Sequence, residues 1–194
     1  MSVIKRLRYR FNDWRLGFTF DPKVIWRVAL TALLLAMLAT LQTTMFSRFR
    51  PFGAVPDMML PFVVAISMMM KEKWGAVTAL ASGFVIDSLS GSTVTLMPLV
   101  YVAVAYAVGI LSTCRYKDTP LVAAIYTAAS SLLKCAVTFA VTTLTIDGIG
   151  PWRALRDVAL PELCANLIFA IIVHGLTRLC FLPLLNGKAE RRAN

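Results

Sequence analysis

Long uninterrupted apolar stretches constrain this chain more than any other feature of its sequence. Hydrophobic residues make up 58% of the 194 positions and charged residues only 15%. A helix needs about 20 apolar residues to cross the roughly 30 Å hydrocarbon layer of a membrane, because each residue adds about 1.5 Å. The blocks here reach that length and the loops between them are short, which leaves no room for a soluble catalytic domain. The sequence therefore predicts an all-α polytopic membrane protein.

Six segments qualify as transmembrane helices, although the second and third are short and are separated only by Lys71-Glu72-Lys73. The spans are predicted at 24–46, 54–70, 74–89, 94–113, 119–145 and 157–185. Together they form a six-helix transmembrane domain over residues 24–185. Before it, residues 1–23 carry apolar side chains at helical spacing among basic ones, which indicates a basic amphipathic cytoplasmic arm. After it, residues 186–194 form a basic cytoplasmic tail.

The distribution of positive charge predicts the orientation of the chain. With six spans, the side that holds both termini carries thirteen Lys and Arg residues and the other side carries four. Because cytoplasmic loops collect Lys and Arg, we expect both termini in the cytoplasm. The net charge of +10 could suit nucleic acid. The basic residues flank apolar segments, however, so we expect contact with anionic membrane lipid and no nucleic-acid binding.

The residue types that carry catalysis are almost absent. The chain has one histidine, His174, and four cysteines without metal-ligand spacing, and it lacks a glycine-rich loop that could hold a phosphate. We therefore expect no catalytic residues, no metal and no cofactor, and we interpret His174 as a packed helix residue.

Ionisable residues inside the apolar segments are the most informative ones. Each costs about 2.5–3.5 kcal/mol on insertion scales when it lies near a helix centre, so such residues normally face protein and find partners. Lys134 lies about fifteen positions into segment five, and Glu162 and Asn166 lie one turn apart on segment six. We predict that these three meet at a similar depth and pair. The alternative is that Lys134 extends towards the membrane surface.

Two further acids lie at segment ends. Asp57 follows Pro56 at the start of segment two, and Asp87 lies near the end of segment three. We expect both near the extracytoplasmic surface, on helices joined by a tight inner turn. Two interpretations carry about equal weight: each acid caps backbone groups of a helix end, or the two acids shape a surface that binds a partner.

Several short motifs occur in the first four segments in a consistent order. They are Leu41-Gln42-Thr43-Thr44, Pro56-Asp57-Met58-Met59-Leu60, Lys73-Trp74-Gly75-Ala76, Gly83-Phe84-Val85-Ile86-Asp87-Ser88-Leu89-Ser90-Gly91 and Tyr106-Ala107-Val108-Gly109. In order, spacing and helix position this stretch, from Leu41 to Leu111, resembles the rod shape-determining MreD family. The chain departs from the family at Met97, where a polar side chain is usual, and its last two segments match only as hydrophobic helices.

This resemblance implies a non-enzymatic membrane scaffold of the bacterial cell-wall elongation complex that regulates cell shape. The implied partners are an MreC-like bitopic protein, an MreB-like filament and, indirectly, the glycan polymerase and transpeptidase of peptidoglycan synthesis. The fold it implies is that of the six-helix substrate-binding components of energy-coupling-factor importers. In this interpretation Pro56, Asp57 and Asp87 shape a partner-binding surface, while Gly83 and Gly91 let backbones approach.

A different class of function remains open at this point. A small-molecule binder of the vitamin-importer type is the alternative, with Ala32-x-x-x-Ala36 as a weak indication. The outward halves of the helices offer few polar side chains for such a ligand, so the scaffold is favoured. A membrane enzyme ranks below both because catalytic groups are missing.

Overall fold

The computed structural model describes residues 22–48, 55–90, 96–114, 119–145, 156 and 159–186. Most of the predicted arm over 1–23, nearly all of the tail over 186–194, and Gly91 lie outside the described residues. Within them the chain forms five helices of 18 residues or more. These are α1 (Pro22–Arg48), α2 (Met59–Ser90), α3 (Met97–Cys114), α4 (Pro120–Thr145) and α5 (Leu160–Asn186).

Composition explains why these segments are helical and where they begin. Two of them start at a proline, Pro22 of α1 and Pro120 of α4, whose fixed φ suits the first helical position. In the part of the chain that the structure describes, three helical stretches are long and apolar enough to cross a membrane: Val24–Met45, Pro120–Val141 and Leu160–Phe181. The prediction of an all-α membrane protein is confirmed.

Helix α2 is helical throughout its 32 residues, but it is not one straight rod. In a straight helix Ser67 and Gly75, which are eight residues apart, would be separated by about 12 Å. A Cβ atom placed on Gly75 would instead lie 3.0 Å from the Ser67 Cα atom. The chain therefore reverses between these residues, where the sequence predicts a turn at Lys71-Glu72-Lys73. We call residues 59–70 the first arm of α2 and residues 72–90 the second arm.

The second arm packs against α3 in an antiparallel register with almost no space between the backbones. A Cβ atom on Gly109 would lie 2.6 Å from the Glu72 Cα atom, and a Cβ atom on Gly83 would lie 3.0 Å from the Met97 carbonyl carbon. Positions 72 and 83 thus face positions 109 and about 98. Small residues at helix contacts allow this close approach in membrane proteins.

The first arm forms the centre of the bundle. Its side chains from Met59 to Ser67 are all buried, and most of the apolar ones have no accessible surface. A helix that is apolar on every side is typical of a position surrounded by other helices. The first arm has twelve residues and a length of about 18 Å, so it is shorter than the hydrocarbon layer.

The start of the first arm corrects one expectation. Segment two was expected to start at 54, yet residues 55–57 are not helical and the helix begins at Met59. Asp57 is only 2% exposed and contacts Lys134, which lies fourteen residues into α4; its place near the extracytoplasmic surface stays a prediction, because burial among helices does not fix depth in a membrane. The helix begins later than predicted because the Asp57 carboxylate caps its first turn from the preceding loop.

Candidate functional site

The residues before the first arm hold its N-terminus inside the protein. The first N–H groups of a helix have no partner within the helix, and leaving them unpaired in a membrane is costly. The Asp57 Oδ1 atom accepts from the backbone N–H groups of Met59 and Leu60, at 3.2 and 3.3 Å. Gln42 of α1 accepts from the Met58 N–H through Oε1 at 3.2 Å. Asp57 is therefore the N-terminal cap of the first arm.

The second oxygen of the same carboxylate takes part in an ion cluster, which we define as Asp57, Tyr101, Lys134 and Glu162. The Lys134 ammonium Nζ donates to Asp57 Oδ2 and to Glu162 Oε1, each at 2.6 Å. The Tyr101 hydroxyl donates to the same Asp57 Oδ2 atom. Tyr101 is fully buried, and the other side chains of the cluster are at most 13% exposed. The cluster joins the first arm to α3, α4 and α5.

Asn166, which lies one helical turn after Glu162 on α5, extends this network. Its side-chain carbonyl Oδ1 accepts from the Asp57 N–H at 2.8 Å, and its Nδ2 donates to the Ser131 hydroxyl at 3.1 Å. Asn166 and Ser131 are both buried. These bonds tie α5 to α4 and to the start of the first arm at one depth.

Electrostatics explains why the cluster is compact. Two carboxylates share one ammonium group in a medium of low dielectric constant, where an isolated charge would be very unfavourable. The hydrogen bonds from two backbone N–H groups and one phenol place additional positive partial charge around Asp57. Among the described residues no group of three or more His, Cys, Asp or Glu side chains is arranged to hold a metal ion. The arrangement fastens helices together, and its ammonium group fills the place between the two acids.

A second polar feature lies near the C-terminal end of the second arm. Asp87 is 8% exposed, and its carboxylate accepts from the Met97 N–H at the start of α3. Its Oδ2 atom is buried and has no hydrogen-bond partner in the described part of the chain. Unlike Asp57, Asp87 is therefore only partly paired.

An apolar groove begins beside Asp87, between the second arm and α3. Its volume is about 360 Å³; on its walls Leu80, Phe84 and Leu99 are exposed, Val102 is half-buried and Pro98 is buried. The groove is lined by Leu80, Phe84, Pro98, Leu99 and Val102.

The structure brings together most of the residues that the sequence singled out, in a partly different pattern. Lys134 contacts Glu162, while Asn166 contacts Asp57 and Ser131 instead of the ammonium group. Pro56 is buried just before the cap. Asp87 is not in direct contact with the cluster, and Gly83 lies at the contact of the second arm with α3, where its missing side chain makes room for Pro98. Gly91 is outside the described residues.

The salt bridge between Asp57 and Lys134 and the role of Tyr101 were not anticipated. The sequence analysis treated Asp57 as a residue of a helix end and did not pair it with a residue of another segment. The only indication that Tyr101 takes part in the site was its residue type, since a tyrosine inside an apolar segment usually finds a polar partner.

Three comparisons with known proteins complete the description. The model of a family described as rod shape-determining protein MreD matches residues 23–182 of the chain. No curated protein and no solved structure matches it.

Proposed function

Because this chain belongs to the MreD family of rod shape-determining membrane proteins, we propose that it is a non-enzymatic scaffold of the cell-wall elongation complex. It holds an MreC-like bitopic protein by surface contact and so helps to position the peptidoglycan synthases. Contacts with an MreB-like filament and with the glycan polymerase and transpeptidase are part of this proposal, the last two as indirect ones. We further propose that the protein lies in the bacterial inner membrane with both termini in the cytoplasm.

The observation that supports a scaffold best is the internal pairing of the ion cluster. Every charged group in it is directed at another group of the same chain, so the cluster is built to hold helices in place. Intramembrane charges that serve transport usually line a cavity or a water-filled path. Here Lys134 lies between the two carboxylates and occupies the position where a transported cation would bind.

A vitamin-type binder, the alternative, receives less support from the surface. The groove between the second arm and α3 has apolar walls, whereas small-molecule sites combine apolar walls with a few convergent polar groups. Apolar walls facing lipid suit a transmembrane helix better than a polar vitamin. Such a surface can act by occupancy alone, and this requires no reacting group.

The test is recovery of the partner from membranes. The tagged chain is purified in mild detergent from cells that also express a differently tagged MreC-like protein, and the two are expected to elute together in size exclusion. An unrelated six-helix membrane protein carrying the same tag serves as the control. Failure to recover the partner, together with a bound vitamin identified by mass spectrometry, would overturn the proposal in favour of the importer type.

A second arm of the test uses cell shape. A strain depleted of its own family member is expected to become round and to regain rods when this chain is supplied. A variant with Lys134→Ala is expected to fail because the bundle is not held together. Rod shape that persists without any functional copy would contradict a role in elongation.

A further inference from the structure

The described part of the chain contains a carboxylate that is only half paired. Asp87 Oδ2 is buried without a hydrogen-bond partner in the described residues, and the whole residue is only 8% exposed. Buried acids in membranes normally meet a cation or several donors. The ion cluster fulfils that rule for Asp57 and Glu162, so Asp87 is the exception.

One end of the groove lies next to this carboxylate along both helices. Phe84 lines it and lies three residues before Asp87, which places the two side chains on the same face of the second arm. Met97, whose N–H is bonded to Asp87, precedes two further lining residues, Pro98 and Leu99. Asp87 itself does not line the groove; its buried carboxylate lies one helical turn beyond Phe84, behind one end of the groove.

We propose that this surface, the groove with Asp87 at its end, is the docking site for the transmembrane helix of the single-spanning partner. The inference rests on the proposed function and adds the place and chemistry of the contact. The partner's helix lays apolar side chains along the groove, and a Lys or Arg side chain near one end of that helix reaches the free oxygen of Asp87.

Charge and polarity together select this occupant. The groove walls are apolar, with Leu99 71% and Phe84 52% exposed, so the occupant must itself be apolar along most of its length. The carboxylate at the end requires a donor, and a cation satisfies both its hydrogen bond and its charge. A lipid acyl chain is apolar enough for the groove, but it offers no hydrogen-bond donor or positive charge to Asp87.

The close backbone contact beneath the groove supports a helix as the occupant. At Gly83 and Gly109 the second arm and α3 approach so closely that a Cβ atom would collide with the neighbouring backbone. The two helices therefore move as one unit and present fixed walls. Fixed walls lower the entropy cost of binding, because the partner does not have to order them.

Site-specific photocrosslinking in cells tests the position. A photoreactive amino acid replaces Leu99 in the groove in one variant and Leu179 on α5 in another, because both leucines are exposed to a similar extent, 71% and 74%. The full chain is co-expressed with the tagged MreC-like partner and irradiated. We expect an adduct with the partner's transmembrane segment, mapped by mass spectrometry, at Leu99 and not at Leu179.

Substitution of the acid tests the chemistry. Asp87→Asn keeps an oxygen for the Met97 N–H but removes the charge, and we expect partner recovery to fall about ten-fold, the effect of one charged contact. Asp87→Glu should retain most of the recovery. Ser88→Ala, at the exposed neighbouring position, is the matched control. Once the adduct identifies the partner's basic residue, exchanging it for Asp in combination with Asp87→Lys should restore recovery.

The outcomes separate this inference from the proposed function. If the wild-type chain recovers the partner but Leu99 gives no adduct, or gives one only with lipid or with a second copy of this chain, the docking site is wrong and the scaffold stands. Unchanged recovery in Asp87→Asn overturns the ionic contact. If the wild-type chain recovers no partner at all, the scaffold falls as well.

Discussion

Asp57 and Asp87 both lie at the open end of the hairpin formed by α2, one just before the first arm and one in the second, and they differ in how fully the protein pairs them. Asp57 accepts hydrogen bonds from two backbone N–H groups, a phenol and an ammonium group. Asp87 accepts from one backbone N–H group and keeps a buried oxygen without a described partner. The first acid ties several helices together, whereas the second is only partly paired among the described residues. The same residue type thus serves cohesion in one place and, in our proposal, recognition in the other.

The largest effect should come from removing the only cation of the ion cluster. Lys134→Ala leaves two carboxylates buried together, and breaking a buried pair in this way costs about 3–5 kcal/mol. We expect little monodisperse protein in fluorescence-detected size exclusion. The double variant Lys134→Ala with Glu162→Ala should recover part of the yield because it removes one of the unpaired acids. Equal yields for the wild type, both single variants and the double variant would show that the pairing contributes nothing.

Loss of the close contact between the second arm and α3 should have the next largest effect. In Gly109→Ala the added Cβ atom would lie 2.6 Å from the Glu72 Cα atom, and overpacking of this kind costs about 1–3 kcal/mol. The thermal midpoint of the detergent-solubilised protein should fall. Gly175→Ala is the matched control, since nothing lies within 4 Å of its Cβ position. A similar fall in both variants would contradict a specific contact at Gly109.

Removing one donor from Asp57 should have a smaller effect than removing the cation. Tyr101→Phe deletes the hydroxyl group but keeps the ring, the ammonium group and both N–H donors. Hydrogen bonds inside membrane proteins contribute roughly 1 kcal/mol each. The thermal midpoint should therefore drop by much less than in Lys134→Ala. Tyr106→Phe, at an exposed position of the same helix, should leave the midpoint unchanged, and an equal drop there would remove the significance of the Tyr101 contact.

The smallest effect on the isolated protein should come from the groove. Leu99→Ala and Leu179→Ala both shorten largely exposed side chains, so each should change stability by less than about 0.5 kcal/mol. Partner recovery should fall only in Leu99→Ala. A stability loss in Leu99→Ala would mean that the groove belongs to the core of the protein, and the contrast with the ion cluster would disappear.

Some features of the site could be predicted from the sequence and others could not. A lysine and a glutamate at matching depths in neighbouring apolar segments already indicated a pair, because an unpaired charge is too costly in lipid. The depth of a residue in a transmembrane helix follows from its number along the chain, so the matching depths of Lys134 and Glu162 could be estimated. The partnership of Asp57 was not accessible in this way, since it depends on how deeply a twelve-residue arm is held within the bundle.

The amino-acid sequence by itself determined that the chain is a helical membrane protein, that it reverses near Lys71-Glu72-Lys73 and that its intramembrane charges require partners. These properties follow from composition and spacing along one dimension, because the transfer of each segment into lipid is a local free energy. Only the tertiary structure decided that the first arm occupies the centre, that one ammonium group serves two acids, and that Asp87 has an oxygen without a partner among the described residues, near an apolar groove. Those outcomes depend on which helix faces rotate towards one another, and that rotation is set by packing among all the helices at once.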